Sequence, residues 1–208
     1  MEPDLLTSIA SALPANERLV GAFEVGRALS DGREDDADVP PDRQPKVLIG
    51  QSRPGDRRRG FLSFLFETAT LTDPRPGPVK ATGDPTARVK RQKKNGRFFG
   101  TWESLAGQWL AAGQPNAETR VITFVALTEY QLRFVYVQNI RRSQTDRAVE
   151  AGACFPRTAL AWTRHRASGR KEFQFGFGDG SWGTLMVPQD KEFLALFPGT
   201  LTHKDPIP

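Results

Sequence analysis

The stretch Lys171–Val187 reads KEFQFGFGDGSWGTLMV, and it leaves the chain few choices. Phe173, Phe175 and Phe177 stand two residues apart, so an extended chain puts all three rings on one face. Asp179-Gly180 follows, a strong two-residue hairpin signal, and SWGTLMVP returns. A slip of one residue would turn every ring to the other face, so a buried Phe face pins the register. Gly176, Gly178 and Gly180 fall on the opposite face, where bending or close approach of a neighbour explains them.

A second pair of strands lies upstream in Thr119–Gln138, TRVITFVALTEYQLRFVYVQ. RVITFVAL is one strand, TEY a tight turn and QLRFVYVQ the next strand, with Leu132, Phe134 and Tyr136 sharing a face. Residues 139–152 read as a polar loop, and ACFPRTALAWTRHR holds a further strand from about Thr158. Asp190–Phe197 is a short helix ended by Pro198-Gly199. Short connections make successive strands antiparallel neighbours.

The first half is less regular. Leu5, Leu6, Ile9 and Leu13 recur at helical spacing before Pro14, and Leu19–Leu29 reads as a strand. Residues 31–45 form an acidic, proline-containing loop, and Lys46–Gly50 reads as a short strand. Phe61–Phe66, FLSFLF, fits a strand or a short buried helix equally. FFGTWESLAGQWLAA, residues 98–112, reads as a helix with Trp102, Leu105 and Trp109 on one face and Gly113 as its stop.

The expected architecture is therefore one mainly β domain over residues 1–208: a small bent antiparallel barrel, or two orthogonal sheets. About seven strands are expected, with an internal helix and a C-terminal capping helix. Residues 119–197 are its best-defined meander.

Charge is uneven along the chain. Residues 1–50 hold ten acids and five bases, whereas residues 51–100 hold twelve bases and four acids. The latter form a basic irregular insertion whose prolines exclude a long helix. Its clusters, Arg57, Arg58 and Arg59, then Lys90, Arg91, Lys93, Lys94 and Arg97, are candidate anion-binding residues for nucleic acid or an acidic membrane surface. They can equally neutralise the acidic first quarter.

Signals for catalysis are thin. The two histidines are His165, in a solvated basic strand end, and His203, in a tail without evident rigid support. A nucleophilic site needs a base beside the nucleophile, and no such spacing exists. The single cysteine, Cys154, beside Phe155 and Pro156, reads as a small buried hydrophobe and permits no internal disulfide. No zinc, calcium, dinucleotide or P-loop pattern is present, so no catalytic residue, metal or cofactor is assigned. The N-terminus lacks a basic n-region, and no apolar run approaches membrane-spanning length. A cytoplasmic protein is expected, with any membrane role peripheral.

The order of elements resembles the bacterial branch of the pleckstrin-homology-like family. The resemblance rests on Val121–Val137 with its threonine-led turn, on the proline-containing entry FPRTALAWTRHR, on the Asp-Gly hairpin KEFQFGFGDGSWGTLMV, and on DKEFLALF. It covers residues 18–29 loosely and 119–197 well; the long segment between residues 50 and 118 departs from it. It implies a scaffold for protein contacts, assembly or membrane association, and carries over no catalytic residue. The expected function is a non-enzymatic binding or scaffolding module with a protein partner. The alternative is sequence-independent binding of nucleic acid or anionic membrane through the basic insertion.

Overall fold

The computed structural model describes residues 3–28, 38–50, 96–139, 147–166 and 171–208. Its element order is α1 (Pro3–Ser11), β1 (Leu19–Arg27), β2 (Phe98–Phe99), α2 (Leu105–Gly113), β3 (Val121–Thr128), β4 (Gln131–Gln138), β5 (Val149–Pro156), β6 (Leu160–His165), β7 (Glu172–Phe177), β8 (Trp182–Met186) and α3 (Asp190–Leu196). The acidic loop's residues 31–37 and FLSFLF lie outside the described residues.

The strands form one antiparallel path, β5-β4-β3-β1-β8-β7-β6, with β2 paired to β8. Two meanders, β3–β5 and β6–β8, are joined through β1. Residues Leu19 to Val25 of β1 pair with β3, and Gly26 and Arg27 then pair with Met186 and Leu185 of β8. Of the two architectures expected, the closed barrel is not formed: β5 and β6 end the path and do not pair with each other. Instead a helix fills the interior. Ala106, Trp109 and Leu110 of α2 join Leu132, Phe134 and Tyr136 of β4 and Phe173, Phe175 and Phe177 of β7 in the main core. All three β7 rings are buried, as the alternation requires.

Trp109 is the centre of that core. Its ring lies 4.7 Å from Phe134, 5.2 Å from Phe155 and Phe175, and 5.7 Å from Phe177, centroid to centroid. Edge-to-face and tilted contacts of this kind add to area burial. The helix approaches β8 closely at Gly183, where a Cβ would stand 2.8 Å from the Leu110 side chain. On β7, Trp162 lies across Gly176, which leaves no room there for a side chain.

The other face of β1, β3 and β4 carries a second core. Ile9 and Leu13 at and beyond the end of α1 pack with Ala22, Phe124, Ala126, Val135 and Val137. The strands of this meander are therefore apolar on both faces, which explains the near-continuous apolar run of FVYV. Phe193 of α3 packs on Phe23 of β1 and on Phe173 and Phe175 of β7.

Three local expectations are corrected. Lys46–Gly50 is not a strand: Lys46 makes one isolated bridge to Asn116, and Leu48 takes φ 52°, which breaks an extended run. Val149–Pro156 is a strand, not the end of a loop, because β4 supplies a ladder partner. The helix starts at Leu105 rather than Phe98; Phe98 and Phe99 pair with Gly183 and Trp182 instead.

Candidate functional site

An open sheet has two outer edges, and here they are treated differently. The β6 edge is occupied by the C-terminal tail. His165 N–H donates to Leu201 O at 2.8 Å, and Leu201 N–H to Thr163 O at 2.9 Å. Arg164 ties the tail down through the carbonyls of Asp205 and His203, at 2.8 and 2.7 Å. The tail around His203 thus has the rigid support that the sequence did not suggest.

The β5 edge has no such cover: among the described residues no strand pairs with its outer side. Ala151, Ala153 and Cys154 are exposed on it and Gly152 is half-exposed, while Phe155 alone is buried. No charged residue occurs from Ala151 to Pro156. Native edges are commonly blunted by charge, and this stretch of β5 is not, although Glu150 precedes it. A register shift between Arg133 and Val135 marks a bulge in β5, where Gly152 and Ala153 face the single residue Phe134. It interrupts the ladder, so only short stretches of edge are available. Gly152 is required there, because a Cβ would overlap the Tyr136 ring. At the far end Tyr130, 75% exposed, stands beside β5 through the Arg157 N–H to Tyr130 O bond of 2.8 Å.

Cys154 is exposed rather than buried, and its thiol meets the Gln131 side-chain oxygen. Burial nonetheless raises the thiol pKa, with Arg133 opposing and Glu17 adding to the shift, so the thiolate is disfavoured. His165 lies with its ring 4.9 Å from Phe173 and 6.4 Å from His203.

Of the eight candidate anion-binding residues, Arg97 alone lies among the described residues. Arg57, Arg58, Arg59, Lys90, Arg91, Lys93 and Lys94 lie outside the described residues. Arg97 is turned inward, its side chain 9% exposed, with Nη2 3.7 Å from Glu172 Oε1. Glu172 also receives Arg166 Nη1 at 2.6 Å. Arg97 therefore belongs to a buried charge cluster, not to a solvent-facing basic surface.

The N-terminus of α2 is no anion site either, because its amides are taken. Leu105 N–H donates to Asp179 Oδ2 at 2.9 Å, Ala106 N–H to Ser181 Oγ at 3.1 Å, and Gly107 N–H to Ser104 Oγ at 3.2 Å. Burial pushes the Asp179 carboxyl up, but the bonds from Ser181 and the Leu105 amide outweigh it and hold the group below its ordinary value. Among the described residues no three His, Cys, Asp or Glu side chains cluster as metal ligands. No helix among them is long and apolar enough to cross a membrane.

No protein-family model, curated protein or solved structure matches the chain.

Proposed function

We propose that this chain is a non-enzymatic binding module, with a pleckstrin-homology-like core, that holds an extended segment of a protein partner along the outer edge of β5. The observation that carries this reading is the asymmetry of the two edges: the tail covers β6, whereas among the described residues no strand covers β5, whose stretch Ala151–Cys154 is uncharged and made of small side chains. Strand addition to such an edge gains backbone hydrogen bonds and takes its selectivity from alternate side chains. Tyr130 supplies an aromatic anchor beside the strand, of the kind enriched in interfaces. The bulge at Gly152 and Ala153 limits pairing to a short peptide and opposes open-ended stacking of copies. A leading helix, β1, two meanders and a final helix follow the order that the resemblance implies.

The test is a double substitution, Ala151→Lys with Ala153→Lys, in the full chain. Both positions are exposed, so stability should stay within about 0.5 kcal/mol. A partner recovered from the native host should be lost with this variant and kept when the seven clustered bases Arg57, Arg58, Arg59, Lys90, Arg91, Lys93 and Lys94 are replaced by Gln. The opposite pattern would overturn the reading.

That opposite pattern would favour the second reading, weak salt-sensitive binding of nucleic acid or anionic lipid. It rests on the twelve bases against four acids in residues 51–100. Such contacts gain mainly from counterion release and fade as salt rises.

A further inference from the structure

The sheet opens where β1 passes from one meander to the other. Val25 and Thr123 form the last β1–β3 pair, and Gly26 already pairs with Met186 of β8. The parting leaves a cleft of about 410 Å³ whose polar lining includes Glu24, Arg27, Thr119, Thr123 and Asn139. That volume falls within the range of small-molecule sites.

Among the described residues two of these groups lack partners. Glu24 is half-buried and makes no hydrogen bond or ion pair among the described residues. Thr119 is 7% exposed, and its hydroxyl is buried with no hydrogen-bond partner. Most buried hydroxyls in native proteins are satisfied, so an orphan one beside a cleft marks a place where something else bonds. Among the described residues Arg27 is the one basic side chain in the lining, and its guanidinium is held by Asp38 at 2.6 Å. Among the described residues the uncompensated charge at the cleft is therefore negative.

We propose that this cleft binds a small organic ammonium compound, its amine on the Glu24 carboxylate and a neighbouring hydroxyl or amide group on Thr119. The chemistry follows from what the lining can do. An ionised carboxylate only accepts, so the ligand must donate to it, and a charged donor bonds more strongly than a neutral one. The Thr119 hydroxyl both donates and accepts, which suits a flanking polar group. A bare divalent cation fits less well, since calcium takes six to eight oxygen ligands and among the described residues a single carboxylate lines this cleft. The site is separate from the β5 edge and does not depend on it.

Two probes of matched skeleton test the proposal: 2-amino-1,3-propanediol, and glycerol, which replaces the amine by a hydroxyl. Both are titrated into the full chain by NMR up to about 10 mM, which saturates a Kd near 1 mM. The amine should bind saturably and shift the amides of Gly26 and Asn139, and glycerol should not. Glu24→Gln and, independently, Thr119→Val should each weaken the amine by about tenfold or more. Thr119→Val decides the matter if Glu24→Gln alters the fold. The Ala151→Lys, Ala153→Lys variant should bind the amine unchanged, which keeps this site distinguishable from the edge. Equal shifts with both probes, no shift with either, or amine binding indifferent to the folded variants would overturn the proposal; water alone then occupies the cleft.

Discussion

Trp109 shows how much a single side chain carries here. Four phenylalanine rings from both meanders meet its indole, and it is fully buried. Trp109→Ala should cost about 3–5 kcal/mol, read as a fall in the denaturant midpoint. A cost near that of a surface substitution would mean that α2 does not fill this core. Glu24 behaves in the opposite sense. Burial raises its carboxyl above the ordinary 4.5, so the folded state holds the proton more tightly than the unfolded chain. Stability is therefore lost as pH climbs from 4.5 through the raised folded value. Glu24→Gln should be more stable than the parent at pH 7 and lose that advantage below the ordinary carboxylate range. Thermal unfolding at both pH values checks this, and a destabilised variant at pH 7 would contradict it. A residue that costs stability where it stands is what a binding role leads one to expect.

At the level of elements, the hairpin turn Asp179–Ser181 also caps a helix. Asp179 and Ser181 receive the first two amides of α2, and Ser104 the third. Asp179→Ala should cost about 1 kcal/mol. The Asp179 carboxyl is held below the ordinary 3.8, so its contribution is present above that value and lost as pH falls through the lower folded one. Chemical denaturation at pH 7 and near pH 3 should show the gap between parent and variant shrinking. An undiminished gap would assign the loss to the turn rather than to the charge. Periodicity and turn chemistry made β3, β4, β7, β8 and both terminal helices legible, because their apolar residues recur at the period of the element and clear turn residues end them. They could not reveal this cap, since Leu105 and Asp179 are 74 residues apart. The strand β5 was hidden for another reason. VEAGACFP has only Val149 and Phe155 as large apolar residues and no alternation, and its pairing to β4 makes it extended.

For the whole molecule, Glu172 ties the chain entering β2 to the β6–β7 meander. It sits between Arg97 and Arg166, with side-chain exposure of 2%. Glu172→Gln would leave Arg97 buried beside a neutral group, and should destabilise the fold by about 3–5 kcal/mol. The loss should be nearly indifferent to added salt, because buried pairs are poorly screened. A small, salt-dependent loss would instead place the cluster at the surface. The same inward turn of Arg97 takes one of the eight basic residues away from any anion-facing surface, which charge counting along the sequence could not show. The candidate interface was likewise illegible in sequence: it depends on which edge the tail covers, and on a bulge that exposes Ala153.

Hydrogen exchange of the backbone amides tests that central claim most directly. With a protein partner bound to the full chain, the amides of Ala151–Cys154 should slow markedly, while those of β6, already covered by the tail, should not change. Protection confined to β6 or to residues 51–95, with β5 exchanging as fast as in the free chain, would contradict the account.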